Sequence, residues 1–418
     1  MKLAKCSLAV IMTVGALTSL NAADTLADAF KNGKVSGALE AWYWDRGYAG
    51  NKSEGLFNTG IKLSYETDTL YGFSLGATFQ SSHSPFASEE AKIAYKGDQY
   101  GPGEVLSEAY LAYTAGKTTA KIGRQYIATP LIASSPSRMI KQSFEGATLV
   151  NKDLPQTMLF AAYVDKYQNR TDTTGSVADF TNNFWIASPL PGATSAVAGN
   201  TKAWNRLDGD AYSLMAVNQS IPYLKLTGQW VGITDLADIY YGEIAFSGKT
   251  NSFSYGLSGQ YEVTDFDNTI NTNDSGYYGL KMNLGVGAFN TYVAYSEIGE
   301  DTTAIPGVGG GPYGTIYTSQ VWYTPGTFNA GTKAYAIDAN YNFKEFGLLA
   351  GIRYSNVDIP TGNGTALAYE IDYTTVYLNY KFAGALKGLA IDVGYEDGDF
   401  SKANSDTSEF RFNVNYNF

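Results

Sequence analysis

The chain closes with FRFNVNYNF (Phe410–Phe418), which has an apolar side chain at every second position and ends on an aromatic residue. Successive side chains of a β-strand point to opposite sides, so this alternation indicates a strand with one apolar and one polar face. The last residues of a soluble domain usually fray into water. Alternation up to Phe418 predicts instead that the terminal strand is part of a wall and needs its final side chain covered.

The same alternation recurs along the whole chain, for example in YGFSLGATF (Tyr71–Phe79) and FSYGLSGQYEV (Phe253–Val263). Short connections such as Ala115–Lys117 alternate with long ones such as Ala128–Ser143. We count 18 such segments, which begin near Val35, Leu56, Leu70, Val105, Thr118, Phe144, Pro155, Asp210, Tyr223, Asp238, Ser252, Gly276, Gly287, Lys333, Phe346, Asp372, Lys387 and Glu409. This pattern predicts an all-β chain.

A barrel threaded through a membrane explains both the alternation and the unequal connections. In hydrocarbon every backbone N–H and C=O needs a partner within the protein, which a closed antiparallel barrel supplies. Such barrels have tight turns on one side and long loops on the other. A soluble sandwich also alternates, but with its polar face toward solvent. We therefore predict a transmembrane antiparallel β-barrel of 18 strands, with short periplasmic turns and long extracellular loops.

The N-terminus has the features of a secretory signal peptide. Lys2 and Lys5 precede the apolar stretch Leu8–Leu20, and small residues favour cleavage after Ala22. The alternative, a membrane anchor, is disfavoured because the apolar run is too short to span comfortably. We therefore expect a signal peptide over residues 1–22, a barrel domain over residues 23–418, and location in the outer membrane.

Composition excludes several functional classes. The formal net charge is −11, and removing the two signal-peptide lysines brings it near −13, which argues against nucleic acid as a partner. The one Cys, Cys6, lies in the signal peptide, and His83 is the one His. The sequence thus predicts no enzyme and no cofactor. The Gly-rich stretch Gly307–Gly314 follows no buried strand and is not expected to cradle phosphate. The acidic stretches Asp265–Asn268 and Asn271–Asp274 leave open a Ca²⁺ site.

A barrel of this size is too wide for its own side chains to fill, so it leaves an aqueous channel. The long connection Ala128–Ser143, the third of the long loops, is the natural candidate for narrowing it. Its polar side chains that are able to line a constriction are Ser134, Ser135, Ser137, Arg138 and Lys141. The alternative is that this loop lies over the outer rim.

The stretch IGRQYIATPLIASSPSRMIKQSFEG (Ile122–Gly146) resembles the OprD-type porin family, with a strand ending in G-R-Q, a Ser-Arg pair in the loop and a strand opening F-E-G. The opening residues and total length are similar to the major outer membrane porins of Campylobacter-type bacteria. The resemblance implies an 18-stranded barrel, often trimeric, whose third loop folds inward and adds Arg124 to the constriction. It also implies passage of small carboxylates, amino acids or ions. The outward aromatic Phe418 looks like the terminal signal that the barrel assembly machinery recognises.

Taking the polar row of each strand as inward gives a lumen of mixed charge, with Glu108, Lys121, Glu145, Lys225, Glu243, Glu262, Lys281 and Arg353 as its main members. Much of the acidic excess lies in long connections, and an acidic mouth would concentrate cations. We therefore predict an outer membrane porin for passive diffusion of ions and small hydrophilic solutes, with a weak cation preference. The alternatives are a substrate-selective OprD-like channel for carboxylates or amino acids, and an adhesin or structural barrel. The expected surroundings are outer membrane lipid and lipopolysaccharide.

Overall fold

The structure is a computed structural model, which describes residues 23–48, 53–172, 174–182, 210–267, 273–301, 303–322, 329–361 and 368–418. The predicted signal peptide, residues 1–22, lies outside the described residues, so it stays a prediction. No helix within these ranges is long and apolar enough to cross a membrane.

The molecule is built almost entirely of strands. In chain order they are β1 (Lys34–Tyr48), β2 (Glu54–Glu66), β3 (Phe73–Ser82), β4 (Gly103–Ala115), β5 (Thr118–Gln125), β6 (Ser143–Asn151), β7 (Thr157–Gln168), β8 (Phe180–Thr181), β9 (Ala211–Asn218), β10 (Leu224–Ile233), β11 (Ala237–Thr250), β12 (Phe253–Phe266), β13 (Ser275–Val286), β14 (Phe289–Ile298), β15 (Lys333–Phe343), β16 (Leu348–Ile359), β17 (Tyr369–Lys381), β18 (Leu389–Phe400) and β19 (Thr407–Asn417). Two short α-helices, α1 (Leu26–Lys31) and α2 (Glu89–Ala94), and two 3-10 turns, Pro312–Gly314 and Gly384–Leu386, complete the described elements.

The strands form one closed antiparallel sheet, as the alternation predicts. Each wall strand pairs with its neighbours in sequence, β7 pairs directly with β9, and β1 pairs with β19 to close the barrel. The wall has 18 strands, and the short β8 is an addition that pairs with β7. Every predicted segment corresponds to a wall strand whose start lies within three residues of the expected one.

The C-terminus is part of the closing seam. The Phe418 N–H donates to the Gly37 carbonyl at 3.1 Å, and the Gly37 N–H donates to the Phe418 carbonyl at 3.0 Å. The Phe418 ring stacks near Tyr416 at 6.2 Å on the outer face. The final residues are therefore held in the wall, which answers why the alternation runs to the last position.

Large apolar side chains cover the outer face. Directly paired residues of an antiparallel sheet share a face, so Leu111 of β4 and Ile122 of β5, which are paired and exposed by 41% and 62%, define the lipid side of this region. Close to the long loops, outward tyrosines are tied to carboxylates: Tyr278 and Tyr295 donate to Glu297 at 2.6 and 2.5 Å. The outer surface thus changes from apolar to polar toward that rim.

The interior is packed beneath three of the long loops, which are numbered here in chain order. The second loop (residues 83–102), the third loop (residues 126–142) and the seventh loop (residues 299–332) each contribute buried side chains to clusters with the inner wall. In the largest cluster Leu131, Ile132 and Val308 are fully buried beside Val231 and Ile239 of the wall. Inward-folded loops therefore fill part of the bore.

Candidate functional site

The third loop enters the bore and contacts the inner wall, as predicted. The Leu131 N–H donates to Oε1 of Gln229 at 2.9 Å, and Nε2 of Gln229 donates to Oγ1 of Thr129 at 2.8 Å. Gln229 lies on the inner side of β10, because its neighbour Trp230 is paired with the exposed Tyr240 on the outer side. The loop is thus fastened inside the barrel and does not lie over the rim.

The seventh loop docks against the third loop. The Val308 N–H donates to the Leu131 carbonyl at 2.7 Å, and the Ala133 N–H donates to the Val308 carbonyl at 3.2 Å. Gly307 and Gly309 have φ of +127° and +85°, and a Cβ on either would collide with the backbone of the third loop. The Gly-rich stretch that sequence analysis set aside is therefore a contact between two loops. We call the part of the bore that these two loops narrow the constriction.

The predicted serines of the third loop differ in position. Ser134 and Ser135 are buried, and both serve the fold of the loop itself: Oγ of Ser134 accepts from the Ile127 N–H at 3.2 Å, and the Ser135 N–H donates to Gln142 at 3.2 Å. Ser137 is exposed, and its hydroxyl lies 2.8 Å from that of Ser135. Ser137 can therefore line the water path, whereas the expectation for Ser134 and Ser135 is corrected by their burial.

Arg138 belongs to a buried ion cluster. Its guanidinium forms an ion pair with Asp98 of the second loop, which also binds Arg46 of β1 at 2.9 Å and lies 3.6 Å from Arg170 beyond β7. Arg46 in turn binds Glu409 of β19 at 2.6 Å. We call these five side chains, together with Arg411, the arginine cluster.

Indole rings extend the arginine cluster to the seventh loop. Arg411 of β19 forms an ion pair with Glu409, and its guanidinium lies 3.7 Å from the ring centre of Trp44 and 4.8 Å from that of Trp322. Guanidinium groups stack favourably on aromatic faces. Arg411 is therefore held between the wall and the seventh loop.

Three lysines line the bore nearby without carboxylate partners at ion-pair distance in the described part of the chain. Lys62 of β2 and Lys141 of the third loop both face the ring of Tyr126, at 4.9 and 3.9 Å, and Lys121 of β5 lies 3.9 Å from the ring of Tyr110. Burial, and next the neighbouring Lys62 ammonium, lower the pKa of Lys141 to about 8. The ammonium groups of Lys62 and Lys141 thus lie beside the same tyrosine ring, in a poorly hydrated part of the bore.

On the other side of the lumen, charged side chains form ion pairs with each other. Lys225 binds Glu243 at 2.7 Å, and Arg353 binds Asp338 at 3.0 Å. Lys281 lies 4.0 Å from the ring of Tyr292. Two further predicted lumen acids have hydroxyl partners: Glu108 accepts from Thr78 at 2.7 Å, and the fully buried Glu262 accepts from Thr264 at 2.8 Å. The structure thus places these predicted residues on the inner face.

Two predicted site residues lie on the opposite face. Arg124 is paired with Glu145 and shares the face of Ile122, which is the lipid side of β5. The two side chains bind each other at 2.9 Å, Lys166 binds Glu145 at 3.0 Å, and the ring of Phe180 in β8 covers Arg124 at 4.2 Å. The expectation that Arg124 lines the constriction and Glu145 the lumen is therefore corrected: each is one position out of phase with the inner row.

Sequence reasoning missed Arg46 and Asp98. Arg46 belongs to the inward row of β1, which also contains Trp42 and Trp44, so the alternation contains the signal for it. Asp98 lies in a loop without periodicity, and its partners are far away in sequence. No sequence pattern points to it.

A metal site has no support in the described ranges, where no group of three or more His, Cys, Asp or Glu side chains could hold a metal ion. The calcium candidate lies partly outside the described residues, since residues 268–272 belong to the gaps. It stays a prediction.

A closed barrel with an apolar outer face and a bore narrowed by inward loops is a membrane channel of the porin class. A family model described as outer membrane porin, OprD family, matches residues 44–418. The chain belongs to the OprD family of outer membrane porins, which are channels located in the outer membrane and not enzymes. The family resemblance read from Ile122–Gly146 is thereby confirmed.

Several solved structures have the same fold and are distant from this chain in sequence. OpdK from Pseudomonas aeruginosa, solved with vanillate, gives a TM-score of 0.76 at 17% identity and covers 93% of this chain and 99% of its own. OccAB2 from Acinetobacter baumannii gives 0.78 at 22% identity, covering 94% and 99%. OccK2 (OpdF) from P. aeruginosa, solved in complex with glucuronate, gives 0.76 at 16% identity, covering 93% and 98%. No curated protein matches the chain.

Proposed function

We propose that this porin passes small hydrophilic solutes and favours those that carry a carboxylate, which binds between Lys62 and Lys141 at the constriction. This is the selective alternative raised by the sequence, and it replaces the weak cation preference as the leading hypothesis. One observation carries the proposal: two ammonium groups face the same Tyr126 ring at 4.9 and 3.9 Å.

Two neighbouring ammonium groups repel each other, and burial strengthens that repulsion because the effective dielectric constant falls. The lowered pKa of Lys141 reflects both effects. A carboxylate between the two ammonium groups would relieve the repulsion and accept hydrogen bonds from both. The ring of Tyr126 offers an apolar surface for the body of the solute.

The surroundings of the two lysines support the same preference. On the opposite wall the charges cancel within each of the pairs Lys225–Glu243 and Arg353–Asp338. Two carboxylates act on these lysines from a distance, Glu108 on both and Glu40 on Lys62. Glu108 already accepts from the Thr78 hydroxyl and from the Tyr126 N–H at 3.1 Å. Rings of fixed charge at a narrow point select ions by sign.

The structural relatives agree in the chemistry of their named ligands. Vanillate and glucuronate, which the descriptions of OpdK and OccK2 name, are both carboxylates with a ring and at least one hydroxyl group. At these identities the relatives share the fold with this chain, and the solute class is carried over as part of the proposal. The trimeric state and the similarity to Campylobacter-type porins stay expectations from sequence.

Planar-bilayer recording tests the proposal. Sodium glucuronate and uncharged glucose are added in turn to single channels in potassium chloride, and the interruption of current is counted. We expect glucuronate to interrupt the current at least about tenfold more often than glucose, because oppositely charged groups in a narrow cleft raise the local concentration of the solute by that order. Equal interruption by both sugars would overturn the carboxylate preference.

Matched variants locate the effect. Lys62→Gln and Lys141→Gln should each abolish most of the difference between the two sugars. Lys281→Gln is the control, because Lys281 also lies in the bore against a tyrosine ring, at 4.0 Å, but the second cation on that ring, Arg353 at 5.4 Å, is already paired with Asp338. If the three variants behave alike, the site between Lys62 and Lys141 is wrong. A reversal potential that favours potassium in the wild type would restore the cation preference.

A further inference from the structure

We propose that Asp98 is the positioning residue of the constriction: it holds Arg138, Arg46 and Arg170 together and thereby sets both the width and the charge of the open channel. The inference does not depend on the carboxylate preference, since it concerns the opening whichever solute passes. It rests on the geometry of the second loop and on the arginine cluster.

The second loop holds the backbone of Asp98 in a fixed position. Helix α2 is capped by Ser88, whose Oγ accepts from the Ala91 N–H at 3.0 Å. After the helix, Tyr95 is fully buried against the wall and donates its hydroxyl to the Glu54 carbonyl at 3.0 Å, and the Asp98 N–H donates to the Tyr95 carbonyl at 3.0 Å. The backbone at Asp98 is therefore held by contacts that do not involve the arginines.

Asp98 joins three separate parts of the molecule. Arg138 belongs to the third loop, Arg46 to β1, and Arg170 to the segment after β7. All three guanidiniums meet one carboxylate, by an ion pair with Arg138 and at 2.9 and 3.6 Å for the other two. The adjacent Gln99 adds a hydrogen bond between uncharged groups, because its Oε1 accepts from the Met139 N–H of the third loop at 3.3 Å.

The carboxylate stays ionised at this position. Burial opposes ionisation of Asp98, but the guanidiniums of Arg138, Arg46 and Arg170 outweigh it and hold the pKa of Asp98 well below its usual value. Removing one partner of a buried ion pair leaves the remaining charge uncompensated, which is strongly unfavourable. Without the Asp98 charge, Arg138 would lose its carboxylate partner, and Arg46 would keep only Glu409, which it shares with Arg411.

The same contacts reach the seventh loop. Arg46 binds Glu409 at 2.6 Å, Glu409 pairs with Arg411, and Arg411 lies 4.8 Å from the ring centre of Trp322. In a network where several cations share one anion, a change at one member alters the interactions of the others. Asp98 is therefore bound directly to the third loop and is linked to the seventh loop through Arg46, Glu409 and Arg411.

The experiment is single-channel recording of Asp98→Asn, a variant that keeps the shape of the side chain and removes its charge. We expect a larger conductance with more frequent current fluctuations, because the third loop is released. We also expect the ratio of chloride to potassium permeability to rise at least about twofold, because the arginine cluster would carry one more net positive charge and attract anions. Asp98→Glu should return the permeability ratio toward that of the wild type.

The matched control is Glu89→Gln, which removes one negative charge from the same loop at an exposed position whose partner is the nearby Lys92. It should leave conductance, fluctuations and permeability ratio unchanged. If Asp98→Asn behaves like Glu89→Gln, Asp98 does not position the constriction. A change in conductance without a change in permeability ratio would also overturn the proposal, since a purely structural role moves only the first.

A second variant tests the proposal if Asp98→Asn does not fold. Folding is judged by whether the barrel resists heat denaturation on a gel. Arg138→Gln breaks the same contact from the third-loop side and leaves Asp98 paired with Arg46 and Arg170. It should raise the current fluctuations as Asp98→Asn would. Fluctuations equal to those of the wild type would refute the proposal. Where both variants fold, the double variant should match Asp98→Asn, since residues that act through one contact are not additive. Additive effects would contradict the assignment.

Discussion

The N–H of Val308 donates a hydrogen bond of 2.7 Å to the carbonyl oxygen of Leu131, and this bond joins two loops that are far apart in sequence. Both residues are fully buried in the bore. The constriction is therefore made by the seventh loop as well as by the third loop. We expect its width to depend on how closely the two backbones approach each other.

The first prediction concerns that approach. Gly307→Ala should separate the loops, because its Cβ would collide with the Leu131 carbonyl and because φ at this position is +127°. A strained backbone of this kind costs about 1–3 kcal/mol. We expect a larger single-channel conductance with more frequent fluctuations. Gly314→Ala is the control, since a Cβ there meets nothing within 4 Å. Equal traces for the two variants would show that the glycine contact does not set the width.

The second prediction tests the face assigned to Arg124. Arg124→Gln should leave the reversal potential in a salt gradient unchanged, because Arg124 shares the lipid side with Ile122. Its partly exposed pair with Glu145 contributes at most about 1 kcal/mol, so the melting temperature should fall only slightly. Lys121→Gln, on the inner face of the same strand, should shift the reversal potential toward cations. A shift with Arg124→Gln would return that residue to the lumen.

The third prediction follows from the lowered pKa of Lys141, which burial and the Lys62 charge bring to about 8. Raising the pH through this value neutralises Lys141, so interruption of the current by glucuronate should weaken between about pH 7 and about pH 9, below the range in which an ordinary lysine titrates. In the unfolded chain Lys141 keeps its proton to higher pH, so deprotonation in this interval also favours the folded state. Lys141→Arg stays charged and should show little pH dependence. A wild-type response that is flat across this range would contradict the assignment.

The fourth prediction concerns the terminal residue. Deleting Phe418 removes two backbone hydrogen bonds to Gly37 at the closing seam and the ring beside Tyr416. We expect much less folded barrel in the outer membrane fraction of cells. Phe346→Ser is the control, because Phe346 is also an exposed aromatic residue but lies in a turn between β15 and β16. If both variants reach the membrane equally, the terminal residue is not required for assembly.

The sequence by itself determined the wall of this protein. Alternation with a period of two fixes which side chains face lipid, and the hydrocarbon requires every backbone group to be paired, so closure of the barrel follows from the pattern. This is why the starts of the strands and the place of Phe418 in the closing seam were predictable. The same pattern contained Arg46, whose position in the inward row of β1 was readable but was not singled out.

Where an inward-folded loop packs against the wall, the polarity of the side chains misleads. Phe144 and Val150 of β6 are buried in the cluster with Leu131 of the third loop, so the inner face is apolar there. Glu145 lies on the outer side with the exposed Leu149, and Arg124 is paired with it. A rule that sends polar side chains inward therefore fails at Glu145, and Arg124 was assigned by the family resemblance and not by alternation.

Only the tertiary structure decided the constriction. The contacts of Asp98 with Arg138, Arg46 and Arg170, and of Val308 with Leu131, join segments that no periodicity relates. Loops inside a bore are positioned by individual hydrogen bonds and ion pairs, which depend on where the closed wall brings distant residues. A wall obeys a repeating rule imposed by its lipid surroundings, whereas the interior obeys the particular geometry of the folded chain.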